Sequence, residues 1–378
     1  MNNLNDDNAS AMPERMKKRL AERQLIGLPP PDMTRDEFLA WRCPREVSDN
    51  PTRMDNPVWQ WLVRTGWDAE RANEIFGGPS SADAGPMWCF DRMGKTETLL
   101  ADGRIVHVSG EYEDFYHPEF YIYNDVTVID PGGAISIFGY PRTIFPPTDF
   151  HTATLVGNAI IIVGGLGYSG QRTADTTPVY KLDLHTFSMS RVTTSGQNPG
   201  WIHDHTVELL DNGQTLVLRG GEVWPNNWAM AENIDCWALD LETSCWTRLT
   251  KRDWQRWAMV RTDNKQNRLR DTRSEAWHRT RNWSGSDSDW KHDAEPDLEA
   301  LASLYRIDET VSTPETSDES NVYRIFIDGI LVRFTEDMYA VCAMVEGRLS
   351  PERLSALQQH TLEMLKRIDK ADYKIIDQ

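Results

Sequence analysis

Few residues in this chain combine the type and spacing that chemistry needs. His203-Asp204-His205 is the only His-x-His in the sequence. On an extended strand, residues i and i+2 share a face, so both imidazoles would meet one metal ion. No third ligand stands at a recognisable spacing, and His205 falls in register with His151 at a repeated position. His203 and His205 are therefore weak metal candidates, and neither a metal nor any other cofactor is expected. Together with Glu222, His203 and Asp204 define one alternative reading, an enzyme or small-ligand site on a loop-bearing face. Patterns for a Ser/His/Asp triad, a P-loop or a GxGxxG turn are absent. Gly164-Gly165-Leu166-Gly167 is glycine-rich, but a repeat explains it better than a phosphate loop. Cys43, Cys89, Cys236, Cys245 and Cys342 are scattered, with no CxxC, and read as reduced, ordinary thiols.

Aromatic loops carry a stronger signal. Glu111-Tyr112-Glu113-Asp114-Phe115-Tyr116-His117-Pro118 and Glu222-Val223-Trp224-Pro225-Asn226-Asn227-Trp228 set large rings among polar groups. That is the composition of protein-binding hot spots. Pro141-Arg142-Thr143-Ile144-Phe145-Pro146-Pro147 adds a stiff apolar segment. Tyr112, Phe115, Tyr116, Trp224, Trp228 and Phe145 are thus the expected partner-binding residues, and no residue is assigned a catalytic role.

What must position these loops is a repeat. Ile105–Gly110, Ile160–Gly165 and Thr215–Gly220 superimpose without a gap, placing Gly110, Gly165 and Gly220 at a spacing of 55 residues. Each run follows a hairpin pair, Asp102-Gly103, Gly157-Asn158 or Asn212-Gly213. Each is followed by apolar-x-Asp, ending at Asp130, Asp183 and Asp240. Four short antiparallel strands per unit, repeated in tandem, is the pattern of propeller blades.

These residues resemble the kelch repeat. His151, the Gly164-Gly165 doublet, Tyr180-x-x-Asp183 and Phe187 form the best copy; His205, Gly220-Gly221, Trp237-x-x-Asp240 and Trp246 form a second. In the first copy Lys95 replaces the His, Ser109-Gly110 the doublet, and Thr127 the aromatic. The resemblance spans residues 88–250, less than half the chain. It implies a kelch-like β-propeller, atypical or incomplete because only three copies are visible and closed propellers have 4–8 blades. It also implies structural roles for Gly110, Gly164, Gly165, Gly220, His151, His205, Asp130, Asp183 and Asp240. Kelch propellers include copper radical oxidases and sugar-acid isomerases, which keeps an enzyme open by resemblance; no Tyr, His and Cys set for copper is assignable here.

Residues 1–87 read as a helical N-terminal region: a helix around Met12, Met16 and Leu20, one capped by Thr34 with Glu37, and one from Asp68 to Gly77. Residues 251–281 carry ten basic against four acidic residues, with Trp254, Trp257 and Trp277, and read as helical. Residues 282–320 reverse this, with eleven acidic against two basic, and read as a linker. Residues 321–378 form a small α+β unit: a hairpin at Asp328-Gly329, a strand or buried helix over 338–345, a helix from Ser350-Pro351 and a last strand at Tyr373–Ile376. The flanks are expected to cover the ends of the blade array.

The chain of 378 residues is mainly β by this reading and has a formal charge of −18. That charge argues against nucleic acid and anionic membranes as partners. No apolar run approaches a bilayer span, and the first twenty residues lack the apolar core of a secretory signal. The sequence therefore predicts a cytoplasmic, non-catalytic protein–protein interaction module, with an acidic immunity or antitoxin-type protein as a lesser alternative.

Overall fold

The computed structural model describes residues 28–224, 230–280, 292, 294–312, 315–316 and 321–377. The helix expected around Met12, the ring of Trp228 and most of the acidic stretch before residue 292 lie outside these. The described chain is mainly β, with several small antiparallel sheets and few helices, and it divides into two compact units. The first holds residues up to 223 together with 233–249; the second holds 224–232 and 250–378.

In the first unit, three successive sheets repeat one plan. The first pairs Thr96–Leu99, Ile105–Val108, Asp125–Ile129 and Ile135–Gly139 in that spatial order, with Thr52–Arg53 added at the far edge. The second comprises Thr152–Val156, Ala159–Val163, Val179–Asp183 and Met189–Arg191. The third comprises Thr206–Leu209, Thr215–Arg219, Trp237–Asp240 and Cys245–Arg248, with Ser195–Gly196 running parallel to its edge. A closed ring of such sheets is not formed among the described residues.

Apolar side chains fill both seams. Val106, Val108, Val126 and Val128 meet Ile160, Ile162, Tyr180 and Leu182. Ile161, Val163 and Val179 meet Ile202, Leu216, Leu218, Trp237 and Trp246. Ala159–Val163 is consequently buried along its whole length, which explains why it reads as a continuous apolar run.

Pairing fixes the repeat more tightly than glycine spacing. Thr96, Thr152 and Thr206 open the innermost strands and lie opposite Val108, Val163 and Arg219. The true offsets along the second strand are 55 and then 56 residues. The third copy of the gapless superposition is thus one residue out of register, and such a slip turns every side chain to the other face. Leu216 and Leu218 face the second sheet, as Ile160 and Ile162 face the first. Gly221, not Gly220, is the counterpart of Gly110 and Gly165. A Cβ on Gly221 would meet the His203 carbonyl at 2.4 Å, whereas one on Gly220 meets nothing within 4 Å.

The other repeat positions have visible tasks. His151 Nε2 hydrogen-bonds Thr96 Oγ1 at 2.9 Å, and His205 Nε2 hydrogen-bonds Thr152 Oγ1 at 3.0 Å, each across a seam. Burial holds both imidazoles neutral, with pKa values lowered to about 3, and it lowers His107 to about 4. Asp183 accepts from the Thr186 amide and hydroxyl at 2.8 and 3.0 Å, and Asp240 from those of Thr243 at 2.7 and 2.7 Å. Both carboxylates so fasten the turn into the last strand.

N-terminal helices cover the free side of the first sheet. Arg35–Trp41 is capped by Thr34 and Ala69–Phe76 by Asp68, as the sequence predicts. A third helix, Pro57–Thr65, is capped by Asn56 and ends at left-handed Gly66. Phe38, Trp59, Trp61 and Leu62 pack with Met87, Trp88, Tyr123 and Ile137. Beneath them Arg92 binds both oxygens of Asp125 at 2.5 and 3.0 Å, the Trp88 indole donates to Asp125 at 2.7 Å, and the guanidinium lies 3.5 Å from the centre of the Tyr123 ring. At the other end, the face of the third sheet turned from the second carries exposed Thr206, Glu208, Arg219 and Thr247 around buried Val217 and half-buried Ala238.

The second unit is a six-stranded sheet in the order Glu315–Thr316, Val322–Ile327, Ile330–Glu336, Ala340–Val345, Gln255–Arg261 and Tyr373–Asp377, with helix Pro351–Asp369 packed through Leu357, Leu365 and Ile368. Two expectations need correction. Trp257 lies on an interior strand, not on a basic helix, because Gln255–Arg261 pairs on both sides; only Leu269–Thr280 of that segment is helical. The acidic stretch is not a linker throughout, since Leu298–Ser303 is helical and Ala300, Leu304 and Tyr305 join the core. The unit's buried charges are paired. Glu336 takes Arg273 at 2.6 and 2.5 Å and the Tyr305 hydroxyl at 2.6 Å, and Asp369 takes Arg261 at 3.1 Å and Tyr373 at 2.8 Å.

Candidate functional site

Each inner strand of the first unit is entered through a left-handed residue, Gly94, Phe150 or Asp204, with φ of 61°, 49° and 51°. These link in series: the Phe150 amide donates to the Gly94 carbonyl at 2.9 Å, and the Asp204 amide to the Phe150 carbonyl at 2.9 Å. The kink at Asp204 breaks the strand on which His203 and His205 were expected to share a face. Trp201–His203 ends before it and Thr206–Leu209 begins after it. His205 spends its Nε2 on Thr152, so the two imidazoles do not form a metal pair. Among the described residues, no group of three or more His, Cys, Asp or Glu could hold a metal ion.

The series of turns instead gathers carboxyl groups. Asp149, just before Phe150, is fully buried at 0% exposure. Its Oδ1 accepts from the Gly167 amide at 2.7 Å, and its carbonyl from the Leu166 amide at 2.9 Å. Glu111 follows the Ser109-Gly110 turn, half-buried, and its carboxyl feels the charge of Asp149. Burial first, then Asp149 and the charge of Asp114, push the Glu111 carboxyl up to about 8. Burial also raises Asp149, against the pull of the Gly167 amide, Glu111, His203 and Arg172. Burial and the neighbouring acid charges thus disfavour ionisation at both carboxyls. Arg172 adjoins it, its guanidinium tied to the Leu166 and Gly167 carbonyls at 3.1 and 3.0 Å.

His203 is 5% exposed, and neither ring nitrogen has a hydrogen-bond partner. Its Nδ1 lies 3.4 Å from Asp204 and its Nε2 3.6 Å from Glu222, both carboxylates being more than half exposed. The expected grouping of His203, Asp204 and Glu222 is therefore present. Glu111 and Asp149 were missed, because their meeting depends on the seam between two sheets and has no local sequence signature.

Aromatic rings lead outward from this cluster. Tyr168, whose hydroxyl accepts from the Ile122 amide at 2.9 Å, feels the charges of both Asp149 and Glu111. Its ring is 5.9 Å from Phe120, Phe120 is 5.6 Å from Phe115, and Phe115 is 5.4 Å from Tyr116. Phe115 and Tyr116 are 72% and 79% exposed. The loop carrying them is pinned at its base by Glu119, a buried carboxylate that accepts from the Met87 amide at 2.8 Å and from the Ser81 hydroxyl. The remaining expected partner residues behave differently. Tyr112 is half-buried against the N-terminal helices, Trp224 is half-buried and belongs to the second unit, and Trp228 lies outside the described residues. Phe145 is wholly buried, edge-on to Tyr140 and Tyr180, because the 141–147 segment turns inward to fill the first seam. It is not a surface residue.

No family model matches the sequence, and no curated protein matches it. Among solved structures, YjhT aligns at 15% identity over 44% of this chain and 53% of its own, with a TM-score of 0.28. A fungal alcohol oxidase of the AA5 family, solved in complex with copper, aligns at 12% identity over 43% of this chain and 44% of its own, with a TM-score of 0.30. The chain thus spans about half the length of these structures. No helix among the described residues is long and apolar enough to cross a membrane.

Proposed function

We propose that the three sheets are kelch-like blades that carry a recognition face, and that the protein binds another protein through the loop of residues 111–120. The observation that carries this reading is the pair Phe115 and Tyr116, two large rings held 72% and 79% in solvent on a loop whose base is fixed. Such rings lose little conformational freedom on binding and supply most of the energy of a hot spot. Glu113 and Asp114 beside them, with Asp204 and Glu222 at the neighbouring turn, give the face negative charge and favour a basic partner. The five cysteines are all free thiols, which suits work in the reducing cytosol.

The experiment is affinity capture with the full chain and with a Phe115→Ser/Tyr116→Ser variant, followed by quantification of the proteins retained. A specific partner held by wild type and lost at least tenfold by the variant, with unchanged thermal unfolding, supports the reading. Equal capture by both chains refutes it.

A further inference from the structure

We propose that a cavity in the second unit binds a neutral, hydroxyl-rich small molecule of the size of one monosaccharide. It lies between the start of helix Leu269–Thr280 and the point where strand Val322–Ile327 begins and strand Ile330–Glu336 ends. All its described lining belongs to the second unit, so the site does not depend on the loop of residues 111–120.

The cavity holds about 290 Å³ and is lined, among the described residues, by polar side chains together with Leu269 and Met338. That volume is just below the range of about 300 to 1,000 Å³ usual for drug-sized ligands, so its occupant is a single small ring. The floor is rigid. Glu336 is 9% exposed and is filled by Arg273 at 2.6 and 2.5 Å and by the Tyr305 hydroxyl at 2.6 Å. The walls are fixed through the backbone. Asn267 donates from Nδ2 to the Asp337 carbonyl at 2.6 Å and from its amide to the Met338 carbonyl at 2.7 Å, and the Glu336 amide donates to the Asn321 carbonyl at 2.9 Å.

Side chains on this frame keep bonding capacity of both kinds. Asp337 accepts from the Met338 amide at 2.6 Å through Oδ1, which leaves Oδ2. Asp271 accepts from His292 at 2.8 Å through Oδ2, which leaves Oδ1. The Arg270 guanidinium and the Asn321 side-chain amide bond to nothing among the described residues. That mixture selects the ligand by elimination. An ammonium or guanidinium ion can donate to both carboxylates but offers Arg270 nothing that accepts. A phosphate or carboxylate accepts from Arg270 but meets the two aspartates, and Arg273 is already spent on Glu336. A divalent metal is a poorer occupant, because no group of three or more His, Cys, Asp or Glu could hold one among the described residues. A hydroxyl donates one hydrogen and accepts at two lone pairs. Neighbouring hydroxyls on one ring therefore satisfy Asp271, Asp337, Arg270 and Asn321 together and bring no charge, and three of those four bonds are of the stronger, charge-assisted kind. Leu269 and Met338 give the C–H face of such a ring apolar surface to lie on.

The test is ligand-observed saturation-transfer NMR on the full chain with methyl glucoside, methyl galactoside, methyl mannoside and myo-inositol, beside tetrahydropyran, a ring without hydroxyls. At least one of the polyols should bind with a dissociation constant of about 1 mM, and tetrahydropyran should show no transfer. Asp337→Asn keeps the size of the side chain and Asn321→Gly keeps the left-handed backbone, at a φ of 67°. Each should weaken the binding at least about fivefold with unchanged thermal unfolding. No binding of any polyol at about 10 mM, equal transfer to tetrahydropyran, or wild-type affinity in both variants would each overturn the proposal. So would displacement of the bound polyol by about 10 mM sulfate or N-acetyl-arginine amide, which would mark the cavity as an ion site.

Discussion

Three imidazoles buried in the neutral form make the stability of the first unit depend on acid. His107, His151 and His205 have pKa values lowered to about 4, 3 and 3, against about 6.5 in an unfolded chain. A lowered histidine favours the folded state fully above pH 6.5 and loses that advantage as pH falls, because only the unfolded chain takes up the proton. From pH 7.5 to pH 5 each costs about 2 kcal/mol, or about 6 kcal/mol together. Glu111 works the other way. Its raised pKa means the folded chain holds a proton that the unfolded chain has released, which returns on the order of 1 kcal/mol once its partial exposure is allowed for. The net expectation is a loss of about 4 to 5 kcal/mol, with roughly two protons taken up on unfolding between pH 5 and pH 6. In His151→Gln the amide can still reach Thr96 but cannot titrate, so the slope should fall by about 1.4 kcal/mol per pH unit. The assay is urea-dependent hydrogen exchange at half-unit pH steps, read on peptides containing Ala159–Val163, which report this unit alone. If His151→Gln and His205→Gln keep the wild-type acid slope, these imidazoles are not the source of the acid dependence.

Other perturbations isolate single devices. Asp125→Ala leaves Arg92 buried and uncompensated and should cost about 3 to 5 kcal/mol in urea unfolding of the first unit; a loss below about 1 kcal/mol would mean the pair is not buried in solution. Gly165→Ala drives a Cβ to 2.0 Å from Thr148 Oγ1 at a φ of 126°, and should lower stability by several kcal/mol, whereas Gly220→Ala, with open space, should cost only about 1 kcal/mol; equal effects would refute the 56-residue register. Asn56→Ala removes the amide oxygen that caps Pro57–Thr65 at 2.8 Å and should cost about 1 kcal/mol, measured by thermal unfolding. Glu111→Gln should raise stability above pH 8, where wild type must ionise both acids, and leave it near wild type at pH 6.

Legibility in the sequence followed the range of the interaction that made each feature. Hairpin turns, the caps at Thr34, Asp68 and Ser350, and the alternating hairpin around Asp328-Gly329 are settled by neighbours in sequence, and all lie where expected. Three copies of a four-stranded unit were visible because each copy repeats the same seam. Glycine spacing misplaces the third copy's register because both residues of Gly220-Gly221 are left-handed, and only pairing with Thr206–Leu209 tells which of them packs closely. Trp257 read as helical because its charged neighbours disguise a strand paired on both sides. The acid pair, Glu119 and Arg92–Asp125 join residues brought together only by tertiary packing, so no local pattern announced them. Phe145 has the composition of a surface anchor, and only the depth of the first seam reveals where its ring goes.

The outer side of the third sheet bears on how such a chain can grow or shrink. Thr206, Glu208, Arg219 and Thr247 meet water there, and Arg219 holds Glu208 at 2.9 Å. A fourth copy added by duplication would have to bury that ion pair against its own apolar face, a step that disfavours lengthening. Shortening is no easier, since loss of the third sheet would uncover Ile161, Val163 and Val179 as a sticky flat face. The array therefore has a stopper built from ordinary polar side chains, and an engineer wishing to extend it would start by making Glu208, Arg219 and Thr247 apolar.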